Sequence, residues 1–380
     1  MKIIYSDMFY GYGFEEIDAN RYPENCERLE YIESYLGDDF IEAIDCDEFS
    51  KKIKSDVIEL AHDQNYIQQI IDFSDTNKMR GGITRLDDNE TYVIGETYDT
   101  ARFAAGASIQ SAEYALNGEN SFAIVRPPGH HASRSKSHGF CIFNNIAIAS
   151  LYLAQQNKKV FILDIDIHFG DGTADIVQDN PNIFYVSMHQ EGLFPYNSYT
   201  EGNVNSIELP LGISEEQYLI EFKKALDVAK VFQPDIIAVS AGFDSCYYDN
   251  EVQFYEEKET ISDKDYDSEV FDSTEEINDL FFGDENNEYD QSKLRNMNVT
   301  YTGYQSIKQK LDEMNIPYFC ILEGGYNPKA IEQGISAFVN EDIGKLFDND
   351  NLPDNIERDI FNKKKQMKKE RLSISPFTEL

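Results

Sequence analysis

The segment at residues 160–173, VFILDIDIHFGDGT, decides how the rest of the sequence is interpreted. It begins with an apolar run and then places carboxylates at Asp164, Asp166 and Asp171 and an imidazole at His168. The apolar run is continuous rather than alternating, which is typical of a parallel sheet covered on both faces. Ionisable groups behind such a strand must be paired, hydrogen-bonded or bound to a metal. The segment therefore predicts a buried strand that leads into a polar site.

Similar patterns along the chain predict one doubly wound α/β domain. Continuous apolar runs recur in IIAVSAG and YFCILEGG. The predicted strands lie at 2–5, 122–125, 160–166, 183–188, 207–209, 236–240 and 318–322. The predicted helices include 28–36, 65–73, 98–115, 144–156, 215–232 and 303–314. We expect a mostly parallel sheet of about eight strands with helices on both faces, and a site beyond the carboxyl ends of the strands.

Composition narrows the class of protein. The chain has 380 residues, of which 41% are hydrophobic, and α/β enzymes often use this length as one domain. No run of about 18 apolar residues occurs, so we expect no membrane partner, and the N-terminal MKIIYSDMFY predicts a strand rather than a signal peptide. The five cysteines form no CxxC pair. This disfavours a disulfide framework or a cysteine zinc site and favours a reducing cytoplasm.

The formal net charge of -37 bears on the choice of partners. Phosphate binding requires clustered Lys and Arg, so we expect no direct binding of nucleic acid, whereas cationic ligands suit this surface. Residues 251–290 hold sixteen Asp and Glu against two Lys. We predict a catalytic domain at 1–345, interrupted by an acidic, aromatic-containing insertion at about 251–295, and a C-terminal extension at 346–380 with the basic tail KKKQMKKER. The insertion either attracts cationic substrates or forms a surface or oligomer contact.

Period-two alternation predicts that Asp164, Asp166 and His168 lie on one side of their strand. A carboxylate and an imidazole two residues apart can share one cation there, and the alternative is a structural hydrogen bond between them. Two of the six histidines are adjacent in RPPGHHA, after the predicted strand 122–125. His130 and His131 therefore also follow a strand end, where a general-base role is favoured.

Two more predicted strands deliver polar residues just past their ends. DIIAVSAGFDS delivers Asp244, and YFCILEGGYN delivers Tyr326 after two glycines. Glycine permits close backbone approach, so we include Gly325 among the predicted substrate-binding residues. In HGFCIFNNIAIAS, Gly139 and Phe140 stand directly before a predicted helix, as a ligand-contacting loop would. Polar chemistry at so many strand ends favours a functional site over isolated structural contacts.

Taken together, the motifs resemble those of the zinc-dependent histone deacetylase and acetylpolyamine amidohydrolase superfamily. The resemblance rests on the order and spacing of RPPGHHA, HGFCIFNN, DIDIHFGDGT, VSMH, SAGFDS and LEGGYN. RYPENCERLEYI and AHDQNYIQQI resemble its N-terminal motifs more loosely. The similarity covers residues 1–250 and 296–340 and implies the arginase/deacetylase fold.

The resemblance implies a role for each matching residue. The implied metal ligands, for zinc or ferrous iron, are Asp166, His168 and Asp244. The implied catalytic groups are His130 with its partner Asp164, His131 with its partner Asp171, and Tyr326. The implied substrate-binding groups are the Gly139 carbonyl, the tunnel walls Phe140 and Phe194, and Glu90 at the rim. The implied structural potassium site comprises the carbonyls of Asp164, Asp166, His168 and Met188 and the hydroxyl of Ser187.

The implied reaction is the hydrolysis of an acetyl or other short acyl amide on a primary amine. The amine belongs either to acetyl-lysine in a protein or to an acetylated polyamine, and a homo-oligomer is left open. His131 would take the proton of a zinc-activated water, and Tyr326 would donate to the oxyanion. One alternative is a ureohydrolase such as an arginase, which needs two metals where SAGFDS offers one Asp. The other is a non-catalytic binder of acylated amines, against which the complete residue set argues.

Two positions depart from the pattern of the superfamily. Phe169 stands where a second histidine is frequent, and this residue is not expected to be a ligand. Arg21 and Tyr22 stand where a histidine often precedes the proline of the first motif, so the role of that position is in doubt.

Overall fold

A computed structural model describes most of the chain. The described residues are 1–12, 22–37, 43–51, 53, 55–86, 90–251, 270–271 and 297–339. Most of the predicted acidic insertion, all of the predicted C-terminal extension at 346–380, and Arg21 lie outside these residues. The predicted domain boundaries therefore stay predictions.

The fold is organised around an eight-stranded sheet in which every neighbouring pair runs parallel. The strands are β1 Lys2–Tyr5, β2 Ile44–Asp45, β3 Ile83–Arg85, β4 Tyr92–Val93, β5 Ser121–Ala123, β6 Val160–Asp164, β7 Ile183–Gln190, β8 Val204–Leu209, β9 Ile236–Ala241, β10 Val270–Phe271 and β11 Tyr318–Leu322. The order in the large sheet is β2-β1-β5-β11-β9-β6-β7-β8, and β10-β3-β4 form a small antiparallel sheet. The prediction of a single, mostly parallel α/β domain is confirmed.

Helices connect the parallel strands. They are α1 Glu27–Leu36, α2 Asp47–Ser50, α3 Ser55–Ile58, α4 Gln64–Arg80, α5 Thr97–Leu116, α6 Asn145–Ala154, α7 Asp171–Val177, α8 Glu215–Phe232, α9 Tyr301–Glu313 and α10 Pro328–Val339. Two 3₁₀ helices span Asp7–Gly11 and Tyr247–Glu251. Among the helices described, none is both long enough and apolar enough to cross a membrane.

The apolar runs of the sequence form the central strands. Every residue of β6, β9 and β11 is buried. Successive side chains of a strand point to opposite faces, so this burial requires that the sheet is covered on both faces. Helix α5 packs against β1, β5 and β11, and α8 packs against β6 and β7.

The strand order brings the chemistry-bearing loops together. Strands β5, β11, β9, β6 and β7 are consecutive neighbours, and in a parallel sheet their carboxyl ends lie at one edge. The loops after four of them carry His130 and His131, Tyr326, Asp244 and Asp166. Residues far apart in the sequence can therefore share one site.

The opening segment differs from its prediction in one respect, since β6 ends at Asp164 rather than at Asp166. The amide of Asp166 donates to Asp164 Oδ1 at 3.1 Å, and the amide of His168 donates to Asp166 Oδ1 at 2.9 Å. These side chains accept from the backbone amides of the turn, while the Ile165 amide still donates to the Ser240 carbonyl at 3.0 Å and the Gln190 amide to the Ile167 carbonyl at 2.9 Å. The strand was therefore predicted two residues too long, but the expected grouping of its polar side chains holds, since Asp164 and Asp166 both approach the His130 ring and His168 Nδ1 lies 3.0 Å from Asp166 Oδ1.

Candidate active site

The three predicted metal ligands come together where β6 and β9 end. One donor atom each of Asp166, His168 and Asp244 lies within 4.8 Å of the others. His168 Nδ1 is 3.0 Å from Asp166 Oδ1 and 3.2 Å from Asp244 Oδ2. Both carboxylates are completely buried, and the imidazole is partly exposed. The site thus concentrates negative charge and leaves one side accessible.

The donor set fits a divalent metal. Asp244 Oδ1 accepts from the Ile167 amide at 2.9 Å, but no donor of the described chain makes a proper hydrogen bond to its buried Oδ2. His168 Nδ1 is near this oxygen without the geometry of a hydrogen bond. A buried carboxylate oxygen in that state is costly unless a cation satisfies it. Two carboxylates and an imidazole are donors that zinc accepts, and three protein ligands leave a position for substrate.

Glycines allow the neighbouring loop to pass close to these ligands. The Gly324 amide donates to Asp166 Oδ2 at 2.9 Å. A Cβ atom at this position would lie 2.4 Å from Asp244 Oδ2 and 2.5 Å from Asp166 Oδ2. The next residue, Gly325, has a φ of 108°, a conformation that favours glycine. The two glycines of LEGGYN are therefore needed by the packing around the ligands.

Replacing Gly324 with alanine should weaken metal binding although no ligand is removed. The new methyl group must displace the carboxylates of Asp166 and Asp244, so we expect the affinity for zinc to fall about 10- to 100-fold. Competition with a chelator measures this affinity. Gly11→Ala is the matched control, because its Cβ would meet no atom closer than 3.9 Å. Equal zinc affinity in both variants would contradict the packing argument.

The tandem histidines each contact the predicted carboxylate. His130 Nδ1 lies 3.2 Å from Asp164 Oδ2, and His131 Nδ1 lies 2.7 Å from Asp171 Oδ1. Asp164 also accepts from the Tyr185 hydroxyl at 2.9 Å. The two imidazole rings are 3.9 Å apart between centroids, and both are buried. The rings therefore differ in their carboxylate partners and not in their exposure.

The surroundings of the two histidines shift their pKa values in opposite directions. Burial, assisted by the neighbouring His130, lowers the pKa of His131 to about 3. Burial also disfavours the charged form of His130, but Asp166 and Asp164 outweigh it and raise its pKa well above the usual value. These opposite pKa shifts favour the neutral form of His131, which can accept a proton, and the charged form of His130 beside it.

Tyr326 is held by its backbone in the loop after β11. The amides of Tyr326 and Asn327 donate to Asp249 Oδ1 at 2.8 and 2.6 Å. The ring meets Phe140 edge-on at 5.8 Å, and the Arg28 guanidinium lies 5.0 Å from its centroid. The Tyr326 side chain as a whole is half-buried.

The two predicted tunnel walls lie on different flanks of the site. Phe194 packs against His131 at 5.0 Å, whereas Phe140 packs against Tyr326 at 5.8 Å. Both rings are half-buried. Gly139 adopts a φ of 49°, and a Cβ there would lie 2.6 Å from His131 Cδ2. Three of the predicted substrate-binding residues, Gly139, Phe140 and Phe194, thus lie beside His131 or Tyr326.

The rim contains two further residues that the sequence singled out. The Glu90 carbonyl accepts from the Tyr22 hydroxyl at 3.1 Å, and Tyr22 meets the ring of Phe140 edge-on at 5.2 Å. Thr91 Oγ1 accepts from the Phe140 amide at 3.0 Å. Tyr22, at the position where the superfamily often has histidine, therefore supports a tunnel wall. The role of the Glu90 carboxylate stays a prediction.

The residues of the predicted potassium site lie on two neighbouring strands. Asp164 of β6 pairs with Ser187 of β7, and both Ser187 and Met188 are buried. Ser187 Oγ is 3.0 Å from His189 Nδ1. Phe169 packs against His189 at 5.0 Å, so it fills the space behind the site with an apolar ring. Potassium binding stays a prediction.

Sequence reasoning missed several buried or partly buried groups. Glu323 Oε2 accepts from the amides of Gly129 and His130 at 2.7 and 3.1 Å, and burial raises the pKa of its carboxyl to about 7. It follows a buried strand directly, so the argument used for Asp164 could have identified it. His138 Nδ1 lies 3.4 Å from Asp171 Oδ2, and its place in HGFCIFNN was the available signal.

Comparison with known proteins adds an independent observation. The family described as "Histone deacetylase domain" matches residues 22–272. A protein named "Probable deacetylase" from Archaeoglobus fulgidus is 35% identical over 243 residues, which cover 60% of this chain and 66% of that protein. A "Polyamine deacetylase HDAC10" from Danio rerio is 35% identical over 212 residues, which cover 50% of this chain and 31% of that protein. The chain therefore spans less than two thirds of either relative.

Solved structures share the fold. The HD domain of HDA15 superposes with a TM-score of 0.70 at 24% identity and covers 89% of this chain and 90% of its own. An acetylpolyamine aminohydrolase from Burkholderia pseudomallei superposes with a TM-score of 0.68 at 19% identity and covers 89% and 97%. At these identities the likeness concerns the fold alone.

Proposed function

We propose that this chain, which belongs to the histone deacetylase domain family, hydrolyses an acetyl or other short acyl amide on a primary amine. One observation carries the proposal: the metal-type cluster of Asp166, His168 and Asp244 lies beside the hydrogen-bonded pair of His131 and Asp171. A metal site next to a neutral imidazole is the arrangement that amide hydrolysis by activated water requires.

Asp166, His168 and Asp244 would hold the metal, for which we propose zinc, with ferrous iron as the alternative. When bound, zinc polarises the acyl carbonyl and lowers the pKa of a water molecule to about 7. The fully buried Asp166 and Asp244 give the cluster its negative charge. That charge accounts for the selection of a cation at this position.

His131 would act as the general base and then as the general acid. Its Nδ1 is occupied by Asp171, so the other ring nitrogen is the one that faces the reaction. It would take a proton from the attacking water and give it to the departing amine. Asp171 orients the ring and stabilises its charged form, while the positive charge of His130 favours the negative charge that develops on the acyl oxygen.

Tyr326→Phe should reduce turnover about 100-fold and leave the fold and the metal content unchanged. The lost hydroxyl would donate to the acyl oxygen as negative charge develops, an effect worth about 3 kcal/mol for other oxyanion donors. Steady-state rates and zinc analysis measure both quantities. Tyr152→Phe is the matched control, since its hydroxyl donates to Glu113 between α6 and α5. Turnover equal to that of the control would remove Tyr326 from the mechanism.

The substrate is proposed to be acetyl-lysine in a protein or an acetylated polyamine. Phe140 and Phe194 would flank the apolar stem of the acylated amine. The net charge of -37 favours a cationic substrate on electrostatic grounds. The "Polyamine deacetylase" and "acetylpolyamine aminohydrolase" names of two similar proteins support the inclusion of polyamines.

A product assay tests the proposal directly. Purified protein is offered an acetyl-lysine peptide, an acetylated polyamine and arginine, and acetate and urea are measured in parallel. We expect acetate from one or both acetylated amines and no urea. Urea would indicate a ureohydrolase, and the absence of both products from the metal-loaded protein would favour a non-catalytic binder.

Two further parts of the proposal concern the setting of the enzyme. The structural potassium ion would be held by the carbonyls of Asp164, Asp166, His168 and Met188 and by the hydroxyl of Ser187. We also propose a reducing cytoplasm as the compartment, because the sequence contains no CxxC pair and no pattern typical of a disulfide framework.

A further inference from the structure

A buried ionic cluster lies beneath the proposed site. Glu24 and Arg126 are completely buried, and Arg28 is 2% exposed. Glu24 Oε1 accepts from Arg126 Nε at 2.6 Å and from Arg28 Nη1 at 3.0 Å, and Glu24 Oε2 accepts from Arg126 Nη2 at 2.8 Å. A single carboxylate therefore holds two guanidinium groups.

Arg28 is hydrogen-bonded to the loop at residues 323–327, which carries Tyr326 and is called the Tyr326 loop below. Arg28 Nε donates to the Gly325 carbonyl at 2.8 Å, and Arg28 Nη2 donates to the Glu323 carbonyl. Its guanidinium also lies 5.0 Å from the Tyr326 ring centroid. The position of this loop is thus tied to the position of Arg28.

Arg126 begins the loop at residues 126–131, which carries the tandem histidines and is called the histidine loop below. Arg126 is the first residue of RPPGHHA and precedes His130 by only four positions. Its Nη1 donates to the Phe9 carbonyl at 3.1 Å, which leaves its Nε and Nη2 for Glu24. The start of the histidine loop is thus tied to Glu24.

Stability alone does not account for this cluster. Removing three ions from water is costly, and apolar side chains of similar volume often stabilise a core equally well or better. An apolar cluster could not donate to the Glu323 and Gly325 carbonyls, nor could it join two loops by directional bonds. The ionic groups therefore contribute directional hydrogen bonds that fix the two loops relative to each other.

We propose that Glu24 is a positioning residue that couples the Tyr326 loop to the histidine loop. This inference rests on the proposed function, in which Tyr326 and His131 act on one acyl group from different strands. A misplacement of about 1 Å between such groups can cost 100-fold in rate. Glu323 reinforces the coupling, because its carboxylate accepts from the His130 amide while its carbonyl accepts from Arg28.

Glu24→Asp tests the coupling with the charge retained. The shorter side chain cannot keep both arginines at their present distances, so we expect kcat to fall about 10- to 100-fold. KM should change less than about threefold and the zinc content should not change, because the hydrogen bonds described for Glu24 run to Arg28 and Arg126 and not to the proposed ligands or tunnel walls. Glu332→Asp is the matched control, since Glu332 is 8% exposed and interacts with Tyr35 and Lys329. Equal kcat in the two variants would overturn the proposal.

Hydrogen exchange provides a readout that does not depend on activity. The amides of Arg126 and of 129–131 in one loop, and those of 323–327 in the other, should exchange faster in Glu24→Asp than in Glu332→Asp. Faster exchange in one loop alone, or in neither, would contradict the coupling. Wild-type protein that releases no acetate would refute the proposed function, while the exchange comparison would still decide the coupling.

A double variant separates positioning from a general structural role. If Glu24 acts partly through Tyr326, Glu24→Asp with Tyr326→Phe should lose less rate than the product of the two single losses. A fully multiplicative loss would show that Glu24 acts elsewhere. Should Glu24→Asp not fold, Arg126→Lys tests the same link from the other end, with the same expected exchange in both loops and the same contradicting result.

Discussion

His131→Ala should retain zinc and lose about 1000-fold in turnover. Its imidazole is the buried base that burial and His130 keep neutral, with a pKa of about 3. General acid–base groups contribute roughly 100- to 10,000-fold, and this residue would act in both directions of proton transfer. Nδ1 bonds Asp171 rather than a metal ligand, so the metal cluster does not depend on it. Rates, zinc analysis and denaturant unfolding are measured on the same preparation.

The zinc content of His131→Ala shows whether a loss of turnover comes from loss of the base or from loss of the metal. A turnover within tenfold of wild type would remove His131 from the role of base. Loss of zinc together with turnover would make His131 a ligand or a support of the ligands, and would contradict the proposed separation between the base and the metal ligands.

Asp244→Ala should lose both zinc and measurable turnover. Asp244 is one of only three protein ligands in the proposed site, and its buried Oδ2 has no hydrogen-bond donor in the described structure that could explain its presence otherwise. Removing it leaves Asp166 and His168, one ligand fewer than the three that catalytic zinc sites use. Zinc is measured by metal analysis after dialysis against a weak chelator, and acetate release is measured before and after zinc is added back.

Asp249→Asn is the matched control for this variant. Asp249 is also a completely buried carboxylate and lies five residues away, but it accepts from the amides of Tyr326 and Asn327. We expect this variant to keep its zinc whatever its rate. A full complement of zinc in Asp244→Ala would refute the ligand assignment.

The elements that the sequence predicted best are those with a local signal. Strand β11 at Tyr318–Leu322 and helix α8 at Glu215–Phe232 have the predicted bounds, because a continuous apolar run and a periodic apolar face are properties of the segment itself. Helices α7 and α10 were not predicted. The first is seven residues long and begins among glycines, and the second begins at Pro328 directly after the LEGGYN loop.

Some features of the candidate site also have a local sequence signal, and others depend on contacts between distant segments. Asp166, Asp244 and the tandem histidines follow apolar strands, so their placement could be inferred from the pattern of parallel strands. The hydrogen bond from Arg28 to the Gly325 carbonyl joins residues 297 positions apart. The sequence of neither segment indicates which residue it will contact. The sharing of Asp171 by His131 and His138 is likewise a product of three separate segments. Such contacts follow from tertiary packing and become visible only in the folded chain.

The proposal that this chain is a metal-dependent amide hydrolase is tested most directly by a zinc titration. Zinc is added to metal-free protein, and the release of acetate from an acetylated amine is measured. We expect the rate to rise in proportion to added zinc and to level off at one equivalent, because the described residues contain one cluster of three ligands that would hold the metal. A rate that is already complete without metal, or one that needs two equivalents, would contradict it.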